Sequence, residues 1–319
     1  MRAYLFRRLL TLLPLVVLVT FAVFMMEHLL PIDPVKLMIN NEQGGELAPV
    51  VDAKVSQQEY LTVKHELGLD KPLLVQYGVF LYNAAHGNLG VSFSTRRTVA
   101  NMIEKNAPAT AELAVAGLFI AIVIGITLGV VAALRPNSWV DAAAMGFAVF
   151  GLSIPAFWLG IMLLLFFAVD LGWVPVLSTP GLVGLILPAF TLGVRAAAVL
   201  ARLTRSSMIE VLGLDYVRTA RAKGLRGSVV VIRHALKNSL IPVVTVVGLQ
   251  FGGLLSGAVI IESVFGRPGL GSMTVTAILG NDFPLVQGAV LVISLSYLVV
   301  NFLVDLTYPL LDPRIRMGA

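Results

Sequence analysis

The side chains that could do chemistry are concentrated in one segment, residues 215–242, which reads DYVRTARAKGLRGSVVVIRHALKNSLIP. Four basic residues lie between Arg218 and Arg226, Gly224 lies among them, and apolar runs flank the segment on both sides. Lys and Arg in short loops resist translocation, so a basic loop between two membrane spans belongs on the cytoplasmic side. The pattern predicts a helix–turn–helix whose positive charge docks a cytoplasmic partner.

The sequence contains no grouping of residues that is typical of a catalytic site. No lysine follows a glycine, so there is no G-x-x-x-x-G-K-[ST] phosphate loop with which to hydrolyse ATP. Cysteine is absent, which excludes disulfides, thiolate metal sites and cysteine nucleophiles. The four histidines are scattered, and His65-Glu66 lacks the second histidine of a zinc-protease motif. We therefore expect neither enzymatic activity nor a metal or cofactor site in this chain.

The amino-acid composition indicates that the elements on either side of the basic segment are membrane-spanning helices. The chain has 319 residues, of which 57% are hydrophobic and only 13% charged. A soluble domain would be about 25% charged. Several apolar runs reach the roughly 20 residues that span the hydrocarbon core of a bilayer. The sequence therefore predicts an all-α polytopic membrane protein.

Six apolar runs predict six transmembrane helices, and charge predicts their orientation. The predicted spans are Leu9–Leu30, Ala109–Leu134, Ala142–Ala168, Leu182–Ala201, Ile241–Ile261 and Leu285–Leu311. Most of the 23 basic residues fall on one side, eight of them between Arg202 and Lys237. Because the basic side is cytoplasmic, both termini are expected to be cytoplasmic.

This topology divides the chain into four predicted parts. Residues 1–30 form the cytoplasmic N-terminus with the first transmembrane helix, and residues 31–108 form an extracytoplasmic segment. Residues 109–311 form a five-helix core with a cytoplasmic loop at 202–240, and residues 312–319 form a cytoplasmic tail.

Inside the spans, a few residues stand out. Arg195 is the one clear ionisable residue well inside a span, and the free-energy cost of placing its charge in the membrane must be offset. Either it faces a transport pathway and attracts an anionic group, or it binds a neighbouring span or reaches an interface. Gly125-x-x-x-Gly129 and Gly253-x-x-x-Gly257 permit close helix packing. Pro155 and Pro188 predict kinks or breaks in their helices.

Four stretches, in order along nearly the whole chain, together resemble permease subunits of ATP-binding-cassette (ABC) importers, specifically the dipeptide/oligopeptide/nickel permease family. They are the external LGLDKPLLVQY (67–77) with GNLGVSF (87–93), YVRTARAKGL (216–225) with RHALKNSLIP (233–242), ESVFGRPGLG (262–271), and DFPLVQGAVL (282–291) with LVDLTYPLLDPRIR (303–316). The general E-A-A loop motif of the superfamily is matched only at Ala220, Gly224 and Leu236, which indicates the divergent form of the peptide permeases.

The resemblance implies a type I ABC importer permease fold in the bacterial cytoplasmic (inner) membrane. It also implies a homologous second permease, two ATPase subunits that carry ATP and Mg, and an extracytoplasmic substrate-binding protein. The ATPase-coupling residues it implies are Asp215, Tyr216, Arg218, Thr219, Ala220, Arg221, Ala222, Lys223, Gly224, Leu225 and Arg226. The alternative for this loop is a basic face held at lipid headgroups.

The same resemblance places Glu262, Arg267 and Asp282 in the last external loop. There they either meet the binding protein or form an internal charge cluster that orders the loop.

The resembling family implies di- or oligopeptides as cargo. Nickel, glutathione or another small solute is the alternative within it. An ATP-independent channel or secondary carrier, and a membrane anchor for a soluble enzyme, are the alternatives from other classes.

Overall fold

The structure is a computed structural model that describes residues 2–29, 35, 57–66, 68–176, 179 and 181–311. The described residues form mostly α-helices, which confirms the predicted all-α class. In chain order the helices are α1 Arg2–Leu29, α2 Gln57–Glu66, α3 Leu73–Ala85, α4 Val99–Leu134, α5 Trp139–Ser153, α6 Ala156–Asp170, α7 Leu182–Leu212, α8 Asp215–Ala222, α9 Gly227–Val264, α10 Leu270–Leu279 and α11 Phe283–Leu311.

Four of the described helices, α4, α7, α9 and α11, are long and apolar enough to cross a membrane alone. The pair α5–α6 adds a fifth if it is one broken span. In α1 the apolar stretch is Leu10–Met26. The helices extend beyond several predicted spans, since α7 continues to Leu212 and α9 begins at Gly227. The predicted number of six spans stays a prediction.

The bend between α5 and α6 departs from the continuous span predicted over Ala142–Ala168. The two helices are bent by 105° at Ile154 and Pro155. Ile154 has extended backbone angles, φ −84° and ψ 131°. A proline disfavours the helical conformation of the residue before it, so the helix ends at Ser153 and a new one begins after Pro155. Pro188, by contrast, lies inside the continuous helix α7.

The described residues fall into two compact units. The first contains 2–8, 109–176 with 179 and 181–269, and 297–311. The second contains 9–29, 35, 57–66, 68–108 and 270–296. The core of the first unit is centred on α7, whose buried Leu192, Ala197 and Leu200 pack with residues of α4 and α9. Helices α5, α6 and α9 also pack along α7.

Small residues allow α4 to approach α7 closely in the first unit. A Cβ added at Gly125 would lie 2.7 Å from the Leu200 Cβ, and one at Gly129 would lie 2.5 Å from the Thr204 Cβ. The first predicted glycine pair therefore does serve helix packing. In the second pair, a Cβ at Gly257 would meet only the tip of a side chain, and one at Gly253 would meet nothing within 4 Å.

The second unit joins α3 to α1 by polar contacts. The Tyr77 hydroxyl lies 2.8 Å from the Thr20 hydroxyl, and the Gln76 Oε1 lies 3.0 Å from the His28 Nε2. The imidazole of His65 lies 2.7 Å from a carboxylate oxygen of Asp70, and this hydrogen bond lowers the pKa of that carboxyl below its usual range. The sequence SQQEYLTVKHEL predicts a helix over 56–67 with a capping box from Ser56; α2 covers Gln57–Glu66, and Ser56 lies outside the described residues.

Candidate functional site

The coupling segment, residues 213–226, is a short helix held between two long ones. Leu212 ends α7, Asp215 begins α8, and α9 starts at Gly227. Asp215 in the first turn of α8 places a negative charge where the helix dipole favours it. The segment therefore has the helix–turn–helix form that its sequence predicts. The connections that join α8 to α7 and to α9 are short.

Gly224 ends α8 through a Schellman motif. The Gly224 N–H donates to the Arg221 carbonyl at 2.9 Å, and the Leu225 N–H donates to the Ala220 carbonyl at 3.4 Å. The motif needs a left-handed residue after the helix, and Gly224 has φ +79°. Glycine adopts this conformation without the steric cost that a Cβ would bring.

One face of α8 packs on the chain itself. Val217 is fully buried and Ala220 is 6% exposed, and both pack with Val230 at the start of α9. These two positions are three residues apart, so they lie on the same face of the helix. The Ala220 methyl group is consequently turned into this chain, although the resemblance includes Ala220 among the ATPase-coupling residues.

Tyr216 adds a polar bridge from α8 to α9. Its hydroxyl accepts a hydrogen bond from the Asn238 side-chain amide at 2.7 Å and lies 3.3 Å from the His234 carbonyl. The bridge crosses the π-helical turns Val230–Leu236, in which the backbone pairs five residues apart. Together with the apolar face, it fixes α8 to the base of α9.

The opposite face of α8 and the following turn are exposed and basic. Arg218 pairs with Asp215 at 3.6 Å, but both side chains are exposed, so the pair contributes little stability. The exposed members of the predicted coupling set are Asp215, Tyr216, Arg218, Thr219, Arg221, Ala222, Lys223, Gly224, Leu225 and Arg226. This face can form charge-assisted hydrogen bonds with a partner that carries carboxylates.

A partly buried ion pair that no sequence motif indicated lies within the first unit. Arg205 on α7 donates to both carboxylate oxygens of Asp141, from Nε at 2.5 Å and from Nη2 at 2.6 Å. Asp141 lies in the first turn of α5, where it also accepts the Asn137 N–H at 2.9 Å. The bidentate geometry ties α7, ten residues before α8, to the start of α5.

Arg195 lies exposed on α7, between buried neighbours on both sides. The described residues offer it no carboxylate within salt-bridge distance, whereas Arg205, Arg218 and Arg267 each have one. The ion pair with a neighbouring span that was one of its two predicted environments is therefore not found in the described part of this chain.

Glu262 and Arg267, both in the first unit, are buried rather than exposed at the surface. Glu262 is fully buried and accepts a hydrogen bond from the Thr110 hydroxyl at 2.6 Å. Arg267 is 6% exposed and pairs with Glu112. A Cβ at Gly269 would overlap the Glu262 carboxylate, so glycine is required there.

Asp282, in the second unit, is also enclosed. Its carboxylate accepts the Ser92 hydroxyl at 2.5 Å and the Phe93 N–H at 3.0 Å, and it caps the start of α11 through the Leu285 N–H at 3.4 Å. For Asp282, as for Glu262 and Arg267, the geometry favours the alternative in which the charge is internal and orders the chain around it. Their role in docking a binding protein stays a prediction.

Comparisons with known proteins agree along the whole chain. Residues 125–317 match the family described as "Binding-protein-dependent transport system inner membrane component", and residues 1–114 match the N-terminal family of such membrane components. The chain is 44% identical to the "Glutathione transport system permease protein GsiC" of Pectobacterium atrosepticum and 41% identical to that of Escherichia coli K12, over 98% of each chain in both cases. An inward-facing structure of the MetNI methionine ABC transporter is similar in fold, with a TM-score of 0.56 and 19% identity over 66% of this chain and 96% of that chain.

Proposed function

The chain belongs to the family of inner membrane components of binding-protein-dependent transport systems, and on that premise we propose that it forms one half of a peptide pathway driven by cytoplasmic ATPases. It is a multi-pass permease subunit of an ABC importer of the dipeptide/oligopeptide/nickel type. Proteins of this family are not catalytic by themselves. We propose below how the chain is coupled to ATP hydrolysis, which subunits it assembles with and which cargo it transports.

The exposed basic face of α8 carries the coupling proposal. Arg218, Arg221, Lys223 and Arg226 point away from the chain, whereas Val217 and Ala220 hold the helix to α9. We propose that this face docks in an acidic groove on an ATPase subunit. Because α8 follows α7 after two residues and is bonded to α9, a displacement of α8 is passed directly to both membrane helices.

The orientation and assembly follow from this docking. The coupling segment must be cytoplasmic, which places both termini in the cytoplasm as the distribution of basic residues predicts. ATP and Mg are held by two ATPase subunits, and a homologous permease supplies the other half of the pathway. An extracytoplasmic binding protein delivers the cargo, and nucleotide shifts the permease between inward- and outward-facing populations.

Glutathione is the cargo to test first. The relatives that are 44% and 41% identical over nearly their full length are named as glutathione transport permeases. Glutathione is a tripeptide, so this choice is one case of the small-peptide class that the sequence favours. Arg195, which is exposed inside the span, is the residue of this chain that we propose faces the cargo.

The test begins with the complex itself. The chain is tagged, extracted gently from its native membrane, and analysed for the proteins that purify with it. A second permease and one or two phosphate-loop ATPases are expected. The complex is then reconstituted in proteoliposomes with its binding protein, and uptake of radiolabelled glutathione is measured with and without ATP.

Uptake that requires both ATP and the binding protein supports the proposal. If the chain purifies alone from several detergents and transports without ATP, an independent channel or carrier replaces it. ATP-driven uptake of another peptide or of nickel, with none of glutathione, would refute only the cargo.

A further inference from the structure

Helix α7 is covered on nearly every side except along one stripe. Between Gly184 and Ala201, the only exposed residues are Ile186 and Arg195. From Arg195 onward a continuous face opens, with positions spaced by three or four residues, as on one side of a helix. Its members are Arg195, Val199, Arg202, Ser206 and Ile209, of which Val199 is partly exposed and the others are exposed. We call this face the α7 stripe.

The depth of the α7 stripe makes its charge costly in lipid. Arg195 lies 13 residues after Leu182, about 20 Å along the helix at roughly 1.5 Å per residue. The hydrocarbon core is about 30 Å thick. If α7 enters the membrane near Leu182, the Arg195 guanidinium is inside that core, where arginine cannot lose its proton. Arginines at this depth face water-filled cavities or a charged partner rather than lipid.

Nothing described in the chain neutralises the two arginines of the stripe. Neither Arg195 nor Arg202 has a carboxylate within salt-bridge distance among the described residues, although Arg205 on the same helix has Asp141. The acidic residue of α7, Glu210, is eight residues beyond Arg202, or about 12 Å along the axis, which is too far for an ion pair. Within the described part of the chain, the stripe therefore presents two guanidinium groups without a carboxylate partner on one side of the helix.

We propose that the α7 stripe lines the translocation pathway and that Arg195 and Arg202 bind the carboxylates of an anionic peptide as it passes. The inference rests on the proposed function, and it adds the two residues that select cargo by charge. Guanidinium groups pair with carboxylates through two parallel hydrogen bonds, which gives both strength and orientation.

The spacing of the two arginines suits a tripeptide with a carboxylate near each end. Seven residues separate them, which is about 10 Å along the helix. An extended peptide covers about 3.4 Å per residue, so three residues also cover about 10 Å. Glutathione carries a carboxylate on its γ-glutamyl residue and one on its glycine, with a single ammonium group, and is therefore a net anion.

The experiment compares two cargoes that differ in one charge. The complete complex is reconstituted with its binding protein, and each cargo is supplied at a concentration that saturates that protein. The probes are glutathione and its monoethyl ester at the glycine carboxylate. The measured quantity is the ratio of their ATP-driven initial uptake rates. The variants are Arg195→Gln, Arg202→Gln and the charge-conserving Arg195→Lys, with Arg135→Gln in an exposed loop as the control.

We expect at least one of the two glutamine variants to lower the ratio of glutathione to ester uptake about tenfold, which corresponds to about 1.4 kcal/mol. Arg195→Lys and Arg135→Gln should leave most of the ratio intact. A ratio that is unchanged in both glutamine variants overturns the inference while leaving the transport function in place.

Two other outcomes would also contradict the inference that Arg195 and Arg202 bind the cargo. Equal loss of both probes, together with loss of the second permease on purification, would assign Arg195 to an ion pair between subunits. If the unmodified complex takes up neither probe, the glutathione cargo is refuted and the charge selection proposed for it fails as well.

Discussion

Replacing Gly224 by valine tests whether the turn after α8 determines coupling. Gly224 has φ +79° and supplies the left-handed residue of the Schellman motif. No heavy atom would lie within 4 Å of a Cβ at this position, so there is open space beside the added side chain. Any effect must come from the backbone conformation, which is most unfavourable for a β-branched residue.

The expected magnitude follows from that conformation. A non-glycine residue in the left-handed region costs about 1–2 kcal/mol. Because 1.4 kcal/mol corresponds to a factor of ten in an equilibrium constant, the ratio of correctly to incorrectly terminated α8 should fall about tenfold, and this factor is the upper limit for the loss of coupling. The helices of the membrane part do not depend on this turn, so insertion and assembly should be retained while the docked geometry is lost.

The assay measures glutathione uptake and ATP hydrolysis in the same proteoliposomes and expresses coupling as their ratio. Gly224→Val should lower this ratio by up to about tenfold. Gly224→Asn should lower it less, because asparagine tolerates the left-handed region. Gly227→Val is the matched control, since Gly227 is also exposed and open but lies at the start of α9 outside the left-handed region. Normal coupling in Gly224→Val, or equal losses in Gly224→Val and Gly227→Val, would refute the reasoning.

Three further predictions concern contacts that hold the membrane part together. Gly125→Leu should prevent close packing of α4 on α7 and reduce the yield of folded protein in a fluorescence-detected size-exclusion assay, whereas Gly253→Leu should not, because only Gly125 is enclosed. Asp141→Ala leaves Arg205 without its partner and should lower the apparent melting temperature of the purified protein. Asp282→Ala removes the acceptor that holds residues 92–94 and should speed amide hydrogen exchange there, with ATPase activity retained.

Each of these three has its own control and contrary result. Equal yields for the two glycine variants would show that α4 and α7 do not pack as described. Arg135→Ala, in an exposed loop, should leave the melting temperature unchanged. An equal fall in Arg135→Ala would show that the Asp141 result does not report on the Asp141–Arg205 ion pair. Unchanged exchange around Ser92 in Asp282→Ala would show that the loop is held by other contacts.

The class of protein could be predicted from the sequence because lipid imposes a simple rule. Backbone groups in hydrocarbon must be satisfied within helices, so long apolar runs indicate spans and basic loops indicate the cytoplasmic side. The coupling segment was found in the same way, since a basic stretch with an internal glycine stands out between apolar runs. Gly224, the glycine inside this stretch, is the left-handed residue of the turn in the structure.

Local sequence was less informative where a helix changes direction or turns a face inward. Pro155 indicated a break, but the 105° bend depends on how α5 and α6 each pack on α7. Ala220 matched the coupling motif by type, yet its methyl group packs on Val230. The partner of a helix face lies elsewhere in the sequence, so propensity and spacing cannot identify it.

The sequence by itself determined the all-helical membrane class, the family and the position of the coupling segment, because these follow from composition, periodicity and contiguous motifs. The tertiary structure alone decided the environment of each charge. It buries Glu262 and Asp282, joins Asp141 to Arg205 across 64 residues of chain, and leaves Arg195 exposed. Burial and ion pairing depend on which distant side chains meet in space, and a linear pattern does not contain that information.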